Sequence, residues 1–257
     1  FAIMQLNDKY PLTFTGMTLA KDSKFHLMPD EKDQKWPGTQ EYGSKMLEIF
    51  ENEKCYQYGN RTKTQDKQGE YKGGNGIYLP GGKEAWLGKD GQNGPIHEII
   101  GRANKRFQVI ENKLKNEGKE LDSFKLKGAY QEYVYSMIQS YVEMQLAKQS
   151  DGKVMAIRAC KENIDRGGSE NAKYAHARLD PTLDQDTRNE IVVGAIESRA
   201  LLARGRVILE KRMPHVLSFI ELVEPKEIQE DTIALLDSLG IKFNADGQPK
   251  YQPATSA

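Results

Sequence analysis

Residues 159–171 read ACKENIDRGGSEN, and the interpretation of this stretch decides what fold the rest of the chain must supply. It follows the apolar run VMAI at 154–157 and leads into SENAKYAHARL at 169–179, whose spacing suits a helix. Within it, Cys160 and Arg166 form the pattern Cys-x5-Arg. A five-residue loop between a strand and a helix can turn its backbone N–H groups onto a single anion. An arginine closing that loop adds a planar fork matched to two phosphate oxygens, where lysine would supply only a point charge. The same positive field favours the thiolate of a cysteine at the loop's start. A thiolate held there can attack phosphorus in line. The expected architecture is therefore α/β. A small central sheet, with KVMAIRAC at 153–160 as a buried strand, feeds the Cys160 loop and is surrounded by long helices.

The sequence carries its own control, because Cys55 also has an arginine, Arg61, six residues on. Its flanks are different. FENEK before it is too polar for a buried strand, and TKTQDKQGEYKGG after it has no helical pattern, so no helix dipole would face that loop.

The interior CKENIDRG resembles the loops of phosphoinositide phosphatases. Sac-type enzymes place an acidic residue at the second x, an aliphatic one at the fourth, and then Asp-Arg, as do Glu162, Ile164, Asp165 and Arg166 here. Myotubularin-like enzymes also end their loop in Asp-Arg. Bacterial effector inositol phosphatases begin theirs Cys-Lys, matched by Cys160 and Lys161. Over residues 154–171 the stretch is most similar to the secreted phosphoinositide phosphatases of the SidF/SidP type. That resemblance implies a hydrolase of phosphatidylinositol phosphates at a membrane surface, with the 3-phosphate as the family's common target. It implies a phosphocysteine intermediate, no metal and no cofactor. It also implies an effector secreted into a host cytosol. Cys160, Arg166 and Asp165 take the catalytic positions, and Lys161, Glu162, Asn163, Ile164, Gly167 and Ser169 the substrate-binding ones.

Some roles stay open. Asp165 either delivers the proton to the departing inositol oxygen or braces the loop amides. Lys161 either meets a phosphate or is solvated. Gly167 stands where family loops place Thr or Ser, and Ala159 where they commonly place His. Ser169 either replaces the missing hydroxyl or caps the following helix. Glycine is absent from the loop interior, which points away from protein-tyrosine substrates. Two other readings share these residues: a soluble inositol-polyphosphate phosphatase, and a non-enzymatic helical interaction domain in which Cys160 is a core residue.

The remainder of the sequence sets bounds. With 37 basic and 37 acidic side chains, net charge gives no argument for nucleic acid as a partner. Two cysteines do not make a disulfide framework, and their sparing use fits a reducing compartment. No apolar run is long enough to span a bilayer, and no signal peptide is visible. The chain begins at Phe1 rather than Met, as an excised domain or processed product would.

A single catalytic domain over 1–245 is expected, followed by a flexible tail at 246–257. Residues 1–92 read as loop-rich, with AIMQL, LTFTGMTLA and GIYLP as short strands. The nine glycines between Gly69 and Gly94 suit hairpins and a long surface loop, or a lid exposing Tyr78, Leu79, Trp86 and Leu87. Trp36-Pro37 reads as a turn packing an aromatic ring, with Gly38 where a tyrosine phosphatase's acid loop would need Asp.

Residues 93–245 read as helix-rich. Ile96, Ile99, Ile100, Ala103, Phe107, Ile110 and Leu114 mark one helix between Pro95 and Gly118. Tyr130, Tyr133, Val134, Met137, Ile138, Tyr141 and Met144 form the apolar stripe of a second, over 123–149. A long helix is expected from Thr187 to Arg212, stopped before Pro214, with two shorter ones after it. Two basic runs stand out: Arg102, Lys105, Arg106, Lys113 and Lys115, then Arg199, Arg204, Arg206, Lys211 and Arg212. Each is either a solvated face or a contact with an anionic membrane. His26, His97, His176 and His215 show no metal-ligand spacing.

Overall fold

The computed structural model describes residues 35–51, 79, 81–149, 165–205 and 213–242. They form eight helices: α1 (Thr39–Glu51), α2 (Gly82–Leu87), α3 (Pro95–Asn116), α4 (Ser123–Gln149), α5 (Asp165–His176), α6 (Gln185–Arg204), α7 (Met213–Leu222) and α8 (Pro225–Ser238). There is no strand among the described residues, so the expected α/β architecture with a central sheet is corrected to a helical one. The physical reason lies in the cores of these helices, which are completed by packing helix on helix. KVMAIRAC, AIMQL and LTFTGMTLA lie outside the described residues. Of GIYLP only Leu79 is described, and it is buried in irregular structure.

The chain divides into two compact units, Phe1–Asp30 with Ser44–Glu98, and Glu31–Gly43 with Ile99–Ala257. In the first, Met46, Phe50, Leu79, Trp86, Leu87 and Ile96 are buried. The loop-rich reading of 1–92 missed α1 and α2. The alternative of an exposed lid is corrected as well: Trp86 is only 2% exposed, and Leu79 and Leu87 are buried too, while Tyr78 lies outside the described residues. GKEAWL forms a short helix closed by Gly88, whose φ of 86° favours glycine and whose N–H bonds the Glu84 carbonyl at 2.9 Å.

In the second unit, α3 ends as its sequence predicts, with Gly118 in the left-handed region at φ 65°. The second predicted helix is α4, but its burial exceeds the expected stripe. Every residue from Gly128 to Ile138 is buried, so α4 is enclosed on all faces. Its polar groups are then obliged to find partners. Gln131 donates to the Tyr42 hydroxyl at 2.9 Å, Tyr130 donates to Asn104 at 2.7 Å, and Tyr133 donates to Asp231 at 2.9 Å. Phe107 of α3 packs its ring against Tyr130 and Tyr133, with centroids 5.0 and 5.9 Å apart.

The helix predicted to reach Arg212 stops at Arg204. Gly205, with φ 60°, closes α6 by bonding its N–H to the Leu201 carbonyl at 2.9 Å. Pro214 falls at the second position of α7, where a missing N–H costs nothing. Two shorter helices, α7 and α8, follow as expected. Pro225 opens α8, and the Glu227 carboxylate accepts the Glu224 N–H at 2.9 Å.

The Trp36 ring packs as predicted, although residues 35–38 are irregular rather than a turn. The Trp36 ring lies 5.1 Å from that of Tyr42, and its indole N–H donates to Glu111 at 3.3 Å. Burial opposes ionisation of Glu111, but hydrogen bonds from Lys115, Thr39 and Trp36 prevail and hold its carboxyl below the ordinary value.

Gly43 is required where α1 approaches Asn104. A Cβ there would lie 2.2 Å from Asn104 Oδ1 and 2.8 Å from the Tyr130 hydroxyl, two groups already bonded to each other. Gly43→Ala should therefore destabilise the fold by about 1–2 kcal/mol. At Gly101, inside α3, a Cβ meets nothing within 4 Å. Gly101→Ala should stabilise by about 0.5–1 kcal/mol, and urea unfolding of both variants checks the opposite signs.

Candidate functional site

Helix α5 begins at Asp165, so Asp165 and Arg166 occupy its first turn and Gly167 follows them. Cys160, Lys161, Glu162, Asn163 and Ile164 lie outside the described residues. Of the two open roles for Ser169, capping is corrected: Ser169 sits one turn inside α5 and is buried.

Local propensity does not explain why α5 forms here. Gly167 and Gly168 in its first turn each disfavour helix by about 1 kcal/mol relative to alanine. The stabilising contacts come from the turns that follow. Ser169, Glu170, Lys173 and His176 recur at helical spacing along one face and are all buried, with Ala172 beside them. By register, position 166 falls on the same face, one turn before Glu170.

The centre of that face is an ion pair. The Lys173 side chain, 1% exposed, bonds Glu132 of α4, itself 1% exposed. Lys173 also reaches Glu170 Oε1 at 3.0 Å and lies 5.7 Å from the centre of the Tyr135 ring. Gln139 of α4 donates to the other Glu170 oxygen. Charges taken this far from water are stable only when each is matched and hydrogen-bonded. The network therefore locks α5 to α4 in one register.

One turn further on, the buried His176 ring makes a 2.8 Å hydrogen bond from Nε2 to the Val223 carbonyl and sits 5.8 Å from the Phe219 ring. Its Nδ1 has no hydrogen-bond partner among the described residues. Burial pushes the pKa of His176 below its ordinary value, against the smaller opposing effect of the Val223 carbonyl.

Geometrically, the arrangement offers the first turn of a helix whose later turns are anchored through Glu170, Lys173 and His176. Backbone N–H groups in such a turn point out of the helix and attract anions. Sequence reading located Asp165, Arg166 and Ser169 but missed Glu132, Glu170 and Lys173. A signal for them was present, since Glu132 interrupts the apolar run AYQEYVYSMI and Lys173 falls on the inward register of SENAKYAH.

Other predicted candidates have structural partners. Arg102 donates to the Ala234 carbonyl at 2.8 Å, and Arg106 bridges Asp231 and Glu227 at 2.7 and 2.6 Å. Lys115 pairs with Glu111 at 2.7 Å. The His215 ring packs 4.9 Å from Phe124. Among the described residues, no group of three or more His, Cys, Asp and Glu side chains could hold a metal ion. In comparison with known proteins, the chain matches no family model, no curated protein and no solved structure.

Two predictions follow from the charged face of α5. Lys173→Met should cost about 3–5 kcal/mol, because Glu132 is left buried without its partner. Adding Glu132→Gln should restore more than half of that loss in denaturant titrations. His176 supplies a pH dependence. Its folded pKa lies below the unfolded value of 6.5, so the unfolded state binds more protons as acid is added. Stability should fall as pH drops below about 6.5, and less steeply in His176→Gln, as thermal melts between neutral and mildly acid pH would record.

Proposed function

We propose that this chain is a cysteine-based phosphoinositide phosphatase. The observation that carries the reading is the start of α5 at Asp165, which puts Arg166 in the first turn of a helix directly after Cys160-x5. A phosphate loop of this pattern needs that helix, and at Cys55 the sequence offers none.

In the proposed reaction, the Cys160 thiolate attacks phosphorus and the bond to the inositol oxygen breaks. The leaving oxygen takes a proton, with Asp165 as the nearest candidate donor in sequence. Water then hydrolyses the phosphocysteine, releasing phosphate and regenerating the thiol. Arg166 stabilises two equatorial oxygens as charge grows on them in the transition state. No metal takes part. Removal of the 3-phosphate, and action as a secreted effector on host membranes, rest on the loop's resemblance to the SidF/SidP-type enzymes alone. A soluble inositol polyphosphate would satisfy the same loop.

The helical architecture of the described residues favours a second reading, a helical interaction domain that uses neither Cys160 nor Arg166 for chemistry. Phosphate release separates the two. The wild-type chain should release phosphate from one or more phosphoinositides or inositol phosphates. Cys160→Ser should abolish that turnover, Cys55→Ser should leave it intact, and Arg166→Lys should lose at least about a hundredfold in kcat. Loss on Cys55→Ser with retention on Cys160→Ser would move the nucleophile to residue 55. No release from any head group by the wild-type chain would favour the interaction domain.

A further inference from the structure

The glycine-rich stretch at 69–94 ends in a pair that neither functional reading uses, Asn93-Gly94, directly before Pro95 of α3. Asparagine followed by glycine is chemically self-reactive, because the glycine nitrogen can approach the side-chain carbonyl carbon with no Cβ in its way. Among the described residues Asn93 is the one asparagine in that setting. Asn104, Asn112, Asn116, Asn171 and Asn189 all precede residues with side chains. The other Asn-Gly pair of the sequence, Asn75-Gly76, lies outside the described residues.

The structure places the two residues of the pair in opposite surroundings. Asn93 is exposed, so water reaches its carboxamide, and at φ 60° it is the one described residue other than glycine with a positive φ. Gly94 is buried, and a Cβ there would overlap the Trp86 carbonyl oxygen and the backbone of Leu87 and Gly88. Glycine is therefore required at 94 by packing against the end of α2, and the reactive pair comes with it. The Gly94 carbonyl accepts the His97 N–H at 3.0 Å and so opens α3. Its own N–H makes no hydrogen bond among the described residues, which leaves the nitrogen available as a nucleophile.

We propose that Asn93-Gly94 is a self-modification site whose two products differ in whether Gly94 stays seated against the end of α2. The Gly94 nitrogen attacks Cγ of Asn93 and gives up its proton, the Cγ–Nδ2 bond breaks, and ammonia leaves behind a five-membered succinimide. Water then opens the ring. Opening at Cγ leaves aspartate on an unchanged main chain. Opening at the backbone carbonyl carbon of residue 93 gives isoaspartate, in which the main chain runs through Cβ and Cγ and is longer by a methylene. Both products add a negative charge beside the N-terminus of α3, where the helix dipole accepts it. Only the longer chain displaces Gly94 from backbone contacts that have no room to give, and with them the buried Trp86 and Leu87. The site stands independently of any chemistry at Cys160.

The test is to age the folded full chain at mildly alkaline pH, with Asn75→Gln introduced to remove the other Asn-Gly pair. Peptide mapping by chromatography and mass spectrometry then separates the asparagine, aspartate and isoaspartate forms at position 93. Asn93 should convert while Asn104, Asn112 and Asn189 stay intact, and Asn93→Gln, whose side chain would have to close a larger ring, should stop the conversion. Asn93→Asp should melt close to the unaged chain. The aged deamidated fraction, recovered by ion exchange and carrying the same charge, should melt lower in proportion to its isoaspartate content. Retention of Asn93 in the folded chain under conditions that convert it in urea would show that the packing of Gly94 blocks ring closure, and would overturn the proposal. A deamidated fraction rich in isoaspartate yet as stable as Asn93→Asp would overturn the difference between the products.

Discussion

The pairing of Lys173 with Glu132 is the constraint on which the rest of this arrangement depends. It spans two helices that are separated in sequence, and neither charge has access to water. A buried ion pair contributes little net stability against a well-packed apolar alternative, but it tolerates few alternative geometries. Sliding α5 by one residue along α4 would strand both charges and Glu170 with them. The pair thus fixes the rotation and the height of α5, and with them the placement of its first turn.

That constraint matters because the first turn of α5 is poorly made on its own terms. Two glycines would ordinarily let it fray, and a frayed turn presents its N–H groups in no fixed direction. Anchoring from Ser169 to His176 supplies what Gly167 and Gly168 withhold.

Much of the helical half was legible because its punctuation and its periodicity agree. Pro95 and Gly118 bracket α3, and the tyrosines of α4 recur at helical spacing. Three other features were not legible, each for a different physical reason. A four-residue apolar run such as VMAI has no periodicity to separate strand from helix, so the sheet rested on context alone. Gly43 weakens the helical pattern of TQEYGSKMLEIFE, because its reason for being there is the proximity of Asn104 and Tyr130, a tertiary fact. Glycines around α2 read as loop, whereas Gly81 and Gly88 sit at positive φ and bracket a short helix. The candidate site divides the same way. Arg166 at a helix start was readable from local pattern, but Lys173 and Glu132 were not, since charged residues are ordinarily placed at the surface and only their partner explains their burial.

The enclosure of α4 has a consequence for the order in which the protein comes apart. A helix covered on every side exposes no amide to solvent through fraying or loop opening, so Gly128–Ile138 can exchange hydrogen only when the surrounding helices separate. The first turn of α5 belongs at the other end of that scale, held by contacts made further along its own helix. Deuterium uptake would thus form a gradient along α5, fastest at Asp165 and slowest near His176, while α4 reports the cooperative opening of the whole unit. α4 would keep the slow time of the unit, and the twelve residues of α5 would run from a faster beginning towards that same slow pace.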